Sequence, residues 1–416
     1  MTIISTTGFE LAEWQRAAVK AWKRGDRRAP FRGTLEIFTG GGKTLIALAA
    51  LAEVSRINPG VRAVVVVPTE ALAHQWLDVL RSRTNLPERA IGLLGAGGQT
   101  VLSDVRVLVA VINTAAKVLP NLSVNGEDAM LIVDECHRAG APTFRRVLDF
   151  PARFRLGLSA TPEREELDEE GLPLDYDEQI LGRKLGEVVY RFNLAAARKA
   201  GWLPEFAVHH HGVTLGPEER RRYERISSQI DALATDLQGT LGTLDPRRIR
   251  QIASSQSAVT STAQAWLAAT AKRKDLLFRA REGGRVAALL TRSALAEGQR
   301  RIILFHERIA EAEELFQELR SALGPLVALE HSTLSQRQRA EALEGFRAGQ
   351  ISVLVSVKSL IEGIDVPAAD VGISVAATSS VRQRVQSLGR VLRRTADRKV
   401  ARMDLLYVRE TSDDTI

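Results

Sequence analysis

Apolar positions along the first two hundred residues come in short unbroken runs. Thr34–Phe38, Ala63–Val67, Val107–Val111, Ala129–Val133 and Arg155–Leu158 are each bounded by turn-forming residues. Continuous Val/Ile/Leu runs of that length predict strands of a parallel sheet buried on both faces. Between them lie amphipathic stretches such as Leu45–Arg56 and Glu70–Arg81, which predict helices. The alternation then stops. Residues 216–290 carry no convincing strand pattern. Gly216-Pro217-Glu218-Glu219 reads as the start of a charged helix through Asp236, and Asp245-Pro246 starts another that runs toward Ala280. Strand–helix alternation returns at Arg301–Phe305, Leu326–Glu330, Ser352–Val357, Val371–Ala376 and Leu405–Val408. The pattern predicts an α/β protein of two doubly wound parallel-sheet domains, 1–200 and 291–416, joined by a mostly helical connector or insertion over 201–290. The polar tail after Val408 is expected to fray.

Composition narrows this picture little. A chain of 416 residues suits two or three domains, and 45% hydrophobic with 26% charged residues is ordinary for a globular protein. No stretch approaches the roughly 18 apolar residues of a membrane helix. Residues 1–10 lack a basic region followed by an apolar core, so no secretory leader is expected and a cytoplasmic location is. The single cysteine, Cys136, excludes an internal disulfide and a metal–thiolate cluster. A net charge of +7, with arginine several-fold in excess of lysine, permits nucleic-acid binding. A GC-rich genome produces the same arginine excess.

The chemistry begins at Glu36-Ile-Phe-Thr39-Gly40-Gly41-Gly42-Lys43-Thr44. A strand, a glycine turn and Lys-Thr opening a helix form a phosphate cradle. Backbone N–H groups of the glycines face the phosphates, Lys43 adds a point charge, and the Thr44 hydroxyl is placed for Mg²⁺. Ile37 stands where the general pattern has its first glycine. The bland alternative is a glycine turn that happens to precede a helix. About ninety residues on, the apolar run Leu131-Ile-Val133 ends in Asp134-Glu135-Cys136-His137. Asp134 is placed to hold Mg²⁺, directly or through water, and Glu135 to orient and deprotonate an attacking water. A solvated acidic turn is the alternative. Cys136 reads as a small buried hydrophobe. His137 either couples the site to the rest of the chain or is a plain structural histidine. Together the motifs predict binding and hydrolysis of a nucleoside triphosphate.

With these residues in hand, the chain resembles the superfamily 2 helicases and translocases with a DExH box. The family's further motifs follow in order. The resemblance implies adenine recognition by Gln15 and nucleic-acid contact at Pro68-Thr69 and at Asn113-Thr114. It implies a link between hydrolysis and domain movement through Ser159-Ala160-Thr161. Phe305-His306-Glu307-Arg308 is similar to motif IV, and Ser359–Pro367, with Gly363 and Asp365 at the nucleotide, to motif V. Gln386-Ser-Leu-Gly389-Arg390-Val-Leu-Arg393 is similar to motif VI. The finer resemblance is to the XPB-like DNA helicases, through Ile91–Gly95, Asp134–Pro142, Leu156–Arg164 and Glu187–Tyr190 with Gly201-Trp-Leu203.

The resemblance implies two RecA-like domains with ATP and Mg²⁺ in the cleft between them. Arg390 and Arg393, at i and i+3, would then share one helix face and meet the charge that develops on the γ-phosphoryl, a contribution on the order of 10³–10⁵ in rate. Gln386 would position water or the γ-phosphate. A solvated basic helix face is the alternative. Nucleic-acid grip in the family falls mainly on the sugar–phosphate backbone. Thr69, Thr114, Ser332, Ser356 and Arg308 are the positions expected to supply it. Each of the hydroxyl residues could instead be a cap or turn residue, and Arg308 could pair with Glu311.

The function so implied is an ATP-dependent DNA helicase or translocase, moving 3′-to-5′ on single-stranded or forked DNA in repair or remodelling. Gln15 lies almost at the start, so no damage-recognition domain is expected ahead of it, and no clear Arg-Glu-Asp triplet occurs. A stripped-down translocase, monomeric and working with an accessory nuclease or repair partner, fits both points. Two other readings stay open: a DExH RNA helicase, and an ATP-gated nucleic-acid clamp that does not unwind.

Two features are set aside. His209-His210-His211 suggests a metal site, but neighbours on a strand face opposite ways. The acidic run Glu163–Glu170 reads as a solvated loop.

Overall fold

The structure, a computed structural model, describes residues 2–122, 124–164, 166, 174–203, 205–242, 244–357, 369–375 and 400–414. They divide into two compact units, with the boundary near Ala200.

The first unit is built on an eight-stranded sheet. Its strands are β1 (Arg32–Ile37), β2 (Arg62–Val67), β3 (Ile91–Gly95), β4 (Gly98–Gln99), β5 (Val107–Val111), β6 (Ala129–Asp134), β7 (Phe154–Ser159) and β8 (Val188–Phe192). They lie in the order β4-β3-β5-β2-β6-β7-β1-β8. Every pairing is parallel except the short β3–β4 hairpin. The helices are α1 (Glu13–Arg24), α2 (Lys43–Ile57), α3 (Glu70–Arg83), α4 (Ile112–Val118), α5 (Ile180–Leu185) and α6 (Leu194–Lys199). The apolar runs Ala63–Val67 of β2 and Ala129–Val133 of β6 are buried throughout, as strands covered on both faces must be. Helix α2 follows the glycine turn and buries Ile46, Leu48, Leu51 and Val54 against the sheet. At the far edge Trp14 of α1 stacks on Phe192 of β8, ring centroids 4.2 Å apart, and so ties the start of α1 to the sheet.

The second unit has a six-stranded sheet of β9 (Glu205–Val213), β10 (Ile302–His306), β11 (Val327–Glu330), β12 (Val353–Val357), β13 (Val371–Ser374) and β14 (Val400–Val408). The order is β11-β12-β10-β13-β14-β9, all parallel. Its helices are α7 (Pro217–Leu241), α8 (Pro246–Ala253), α9 (Thr260–Phe278), α10 (Arg281–Ala296), α11 (Ile309–Leu323) and α12 (Gln336–Arg347). Residues 201–290 therefore begin with a strand, β9, which pairs residue for residue with β14 and forms an edge of the second sheet. The helices that follow are not independent of that sheet either. Tyr223 of α7 and Leu276 and Leu277 of α9 join the core formed by β10, β12 and β13. The other end of α7 packs Leu237 against Ile249, Ile252 and Ala263 in a small core of its own. Helix α7 has 25 residues, a span of about 37 Å, long enough to serve both.

Candidate nucleotide site

β6, β7 and β1 are neighbours, so their carboxyl ends lie side by side. Parallel α/β sheets place ligand sites beyond this edge. Three sequence motifs leave from it: Phe38–Thr44 from β1, Asp134–His137 from β6 and Ser159–Thr161 from β7.

The glycine turn has the backbone that its sequence demands. Gly40 and Gly42 adopt φ of 89° and 75°, left-handed values that strain any residue with a side chain. At Gly41 an added Cβ would stand 2.7 Å from Ile37 Cγ2. Gly42 then caps α2, whose first turn contains Lys43 and Thr44 and whose cap receives no side-chain hydrogen bond. The N–H groups of this first turn are the anion-binding end of the helix. The Thr39 hydroxyl is buried with no hydrogen-bond partner among the described residues. Gln15 reaches the same turn. Its amide N–H donates to the Gly41 carbonyl at 2.9 Å, while its Oε1 accepts from Ala12 N–H at 2.9 Å.

Asp134 closes β6 and is buried. Its Oδ2 accepts from the Trp76 indole N–H at 2.9 Å, and its Oδ1 from the Glu135 backbone N–H at 3.0 Å. Burial, joined by the neighbouring Glu135 charge, pushes its carboxyl up to about 6 against the pull of Lys43 and of these two donors. Burial leaves a carboxylate wanting positive charge, and Asp134 with Thr44 offers the hard oxygen donors a divalent cation prefers. The residues present thus fit Mg²⁺.

Glu135 sits at φ 47°, ψ 52°, a left-handed conformation unusual outside glycine. Such strain concentrates at functional sites. The twist carries the Glu135 carboxylate into the space between the motifs. Its Oε1 lies 3.3 Å from Lys43 Nζ, and its Oε2 lies 3.5 Å from His137 Nδ1. The same His137 nitrogen is 3.1 Å from Ser159 Oγ, which in turn accepts from the Thr161 N–H at 3.0 Å. Lys43, Glu135, His137, Ser159 and Thr161 thus form one continuous polar chain across three strand ends.

Sequence reasoning placed Gln75-Trp76 with Pro68-Thr69 in a nucleic-acid motif and Arg164 only in a stretch of family resemblance, and gave neither Trp76 nor Arg164 a part in the nucleotide site. Trp76 lies on the buried face of α3 with Leu72, Ala73 and Leu80. The signal was present in that a fully buried tryptophan needs an acceptor for its N–H. Arg164 donates to the His137 carbonyl, a contact with no local signature.

The residues expected to grip nucleic acid divide. Pro68-Thr69 and Thr114 follow β2 and β5, on the same carboxyl edge. Thr69 caps α3, its hydroxyl accepting from Leu72 N–H at 3.2 Å. Ser332 is exposed in the loop after β11. Ser356 is a correction: it is buried inside the second sheet and donates to Glu330 Oε2 at 3.1 Å, so it presents nothing to a strand. Arg308 is ion-paired with Asp275, while Glu311, its expected partner, pairs with Arg279 at 3.4 Å. Gly363, Asp365, Gln386, Arg390 and Arg393 lie outside the described residues.

Comparisons with known proteins agree with this geometry. Residues 8–164 match the family model described as type III restriction enzyme, res subunit, and residues 285–395 match the helicase conserved C-terminal domain. A "DNA 3'-5' translocase XPB2" from Sulfurisphaera tokodaii is 27% identical over 93% of this chain and 79% of its own length. A "DNA 3'-5' helicase XPB" from Kineococcus radiotolerans is 28% identical over 99% of this chain, which spans only 62% of that relative. The crystal structure of the Pyrococcus furiosus Hef helicase domain superposes with a TM-score of 0.57 at 19% identity, covering 96% of both chains. That likeness supports two RecA-like domains.

Proposed function

The chain belongs to the superfamily 2 helicases, similar to its XPB-named group, and from that membership we propose that it hydrolyses ATP to move 3′-to-5′ along DNA in repair or remodelling. The observation that carries the reading is the polar chain from Lys43 through Glu135 and His137 to Ser159 and Thr161.

In this reading the glycine turn and the first turn of α2 receive the β- and γ-phosphates. Lys43, which pairs with Glu135 in the nucleotide-free chain, turns its ammonium to the γ-phosphate. Glu135, released, orients and deprotonates the attacking water. Thr44 and Asp134 would hold Mg²⁺, which would supply positive charge to the phosphates there. His137 touches both the base and Ser159, so a change at Glu135 is passed to the end of β7. Gln15 bonds the glycine turn at the Gly41 carbonyl and is assigned to adenine through the family resemblance. Gln386, Arg390 and Arg393, with Gly363 and Asp365, are assigned to the same nucleotide through the family resemblance. Pro68, Thr69 and Thr114 are assigned to the tracked strand, with Ser332 from the second unit.

ATP hydrolysis measured without polymer, with single-stranded DNA, with duplex DNA and with RNA tests the reading. Stimulation by DNA is expected, with Lys43→Ala and Glu135→Gln each lowering the rate by at least about 10²-fold. Glu135→Gln should keep ATP binding. A response to RNA alone would move the assignment to an RNA helicase. A flat response to every polymer would replace the motor with a partner-activated switch.

A further inference from the structure

Strand alternation separates His210 from its neighbours but leaves His209 and His211 on one face of β9. The parallel register sets Asp404 of β14 opposite His209. On that face Asp404 Oδ1 lies 2.9 Å from His211 Nε2 and 3.4 Å from His209 Nδ1, and one ligand atom from each residue falls within 4.8 Å of the other two. A zinc ion bound at about 2.0–2.2 Å in tetrahedral geometry separates its ligand atoms by about 3.4 Å. One histidine–carboxylate separation matches that value, the other is shorter and the third is within 4.8 Å, so small side-chain shifts bring all three groups onto one ion. We propose that His209, His211 and Asp404 bind a divalent transition metal of the zinc type, which clips the edge strand β9 to β14.

The surroundings supply what such a site needs. Asp404 is 1% exposed, and its second oxygen accepts from Arg402 Nε at 2.9 Å. Arg402 in turn pairs with Glu297 at 2.9 Å. This outer pair fixes the Asp404 carboxylate with Oδ1 toward the histidines, the role that second contacts play around metal ligands. The formal charges of Asp404, Arg402 and Glu297 sum to −1 with both imidazoles neutral, so the cluster holds an uncompensated anion. His209 is half exposed and His211 partly so, which leaves a route of entry and a position for water. Two imidazoles and one carboxylate suit zinc, and nickel or copper by the same donor preference, over magnesium or calcium. The ligands come from stretches 193 residues apart in sequence, so binding draws on the folded second unit and stabilises it.

The test uses the full chain, stripped with chelator and titrated with Zn²⁺ by calorimetry, with thermal unfolding in parallel. One equivalent should bind and raise the unfolding temperature. His209→Ala and His211→Ala should each weaken binding by tenfold or more and remove the thermal shift, while His210→Ala, on the opposite face, keeps both. His209 is exposed enough that its loss leaves the fold intact even if substitutions at buried Asp404 do not. Absence of saturable Zn²⁺ binding to the full chain would overturn the proposal. So would unchanged affinity in both His209→Ala and His211→Ala.

Discussion

Asp134 illustrates how a residue legible in sequence takes its properties from residues that are not. An apolar run ending in Asp-Glu announces its place at the end of a buried strand. Its protonation is set by burial and by Trp76, which arrives from α3, 58 residues away. With its carboxyl raised from 3.8 to about 6, the folded chain holds this proton more tightly than the unfolded chain does. The group's contribution to stability is full below pH 3.8 and is lost as pH rises through about 6. Asp134→Asn removes that loss. In nucleotide-free protein the substitution should raise stability at pH 8 by about 1–3 kcal/mol relative to its effect at pH 4, while abolishing hydrolysis. Urea unfolding of both proteins at the two pH values reads the difference directly, and parallel stabilities would refute the buried-charge account. The placement of Lys43 and Glu135 at strand ends was equally legible, since it follows from short local motifs. The pairing of Lys43 with Glu135, and the left-handed backbone that allows it, were not, because both depend on how β1 and β6 are aligned across β7.

Elements whose two faces are both covered announced themselves. β2, β5, β6, β10 and β12 are near-continuous apolar runs and lie where the pattern put them. Those with solvent on one face did not. β9 carries three consecutive histidines and is exposed or half-exposed over most of its length, so no apolar period marks it. β8 is likewise mostly half-buried. The helix expected from Asp245 toward Ala280 is in fact α8 and α9, separated over residues 254–259, where Ser254, Ser255 and Ser257 bond locally instead of continuing a helix. The second sheet also holds an ion pair that no pattern foretold. Glu330, fully buried at the end of β11, accepts from Arg339 of α12 at 2.8 Å and from Ser356 of β12. Removing one partner from a buried pair strands the other charge. Arg339→Ala should therefore destabilise the second unit by about 3 kcal/mol, measured by denaturant unfolding, and Glu330→Gln should restore much of that loss in the double variant. A cost near zero for Arg339→Ala would mean that the pair contributes nothing to docking α12.

At the scale of the whole molecule, alternation along the sequence revealed two α/β units but not how the second one is closed. Its sheet is completed by two strands that come from opposite ends of the unit's sequence, β9 and β14, paired over nine positions. A chain ending at residue 399 loses β14 and uncovers both β9 and β13. Limited proteolysis of that variant should digest the second unit and leave a protected fragment close to residues 1–200. Protection extending through residues 205–357 would show that the sheet closes without its last strands.

The same pairing has a consequence for synthesis. Ribosomes add about 5–20 residues per second, and His211 precedes Asp404 by 193 residues. β9 therefore waits about 10–40 s for its partner, a lone strand whose N–H and C=O groups have only water to bond in a crowded cell. Unpaired strands of that kind offer the same template to other chains that a sheet edge does. A β9 that is polar and histidine-rich, the quality that hid it from the hydrophobic pattern, is also a strand poorly suited to sticking while it waits.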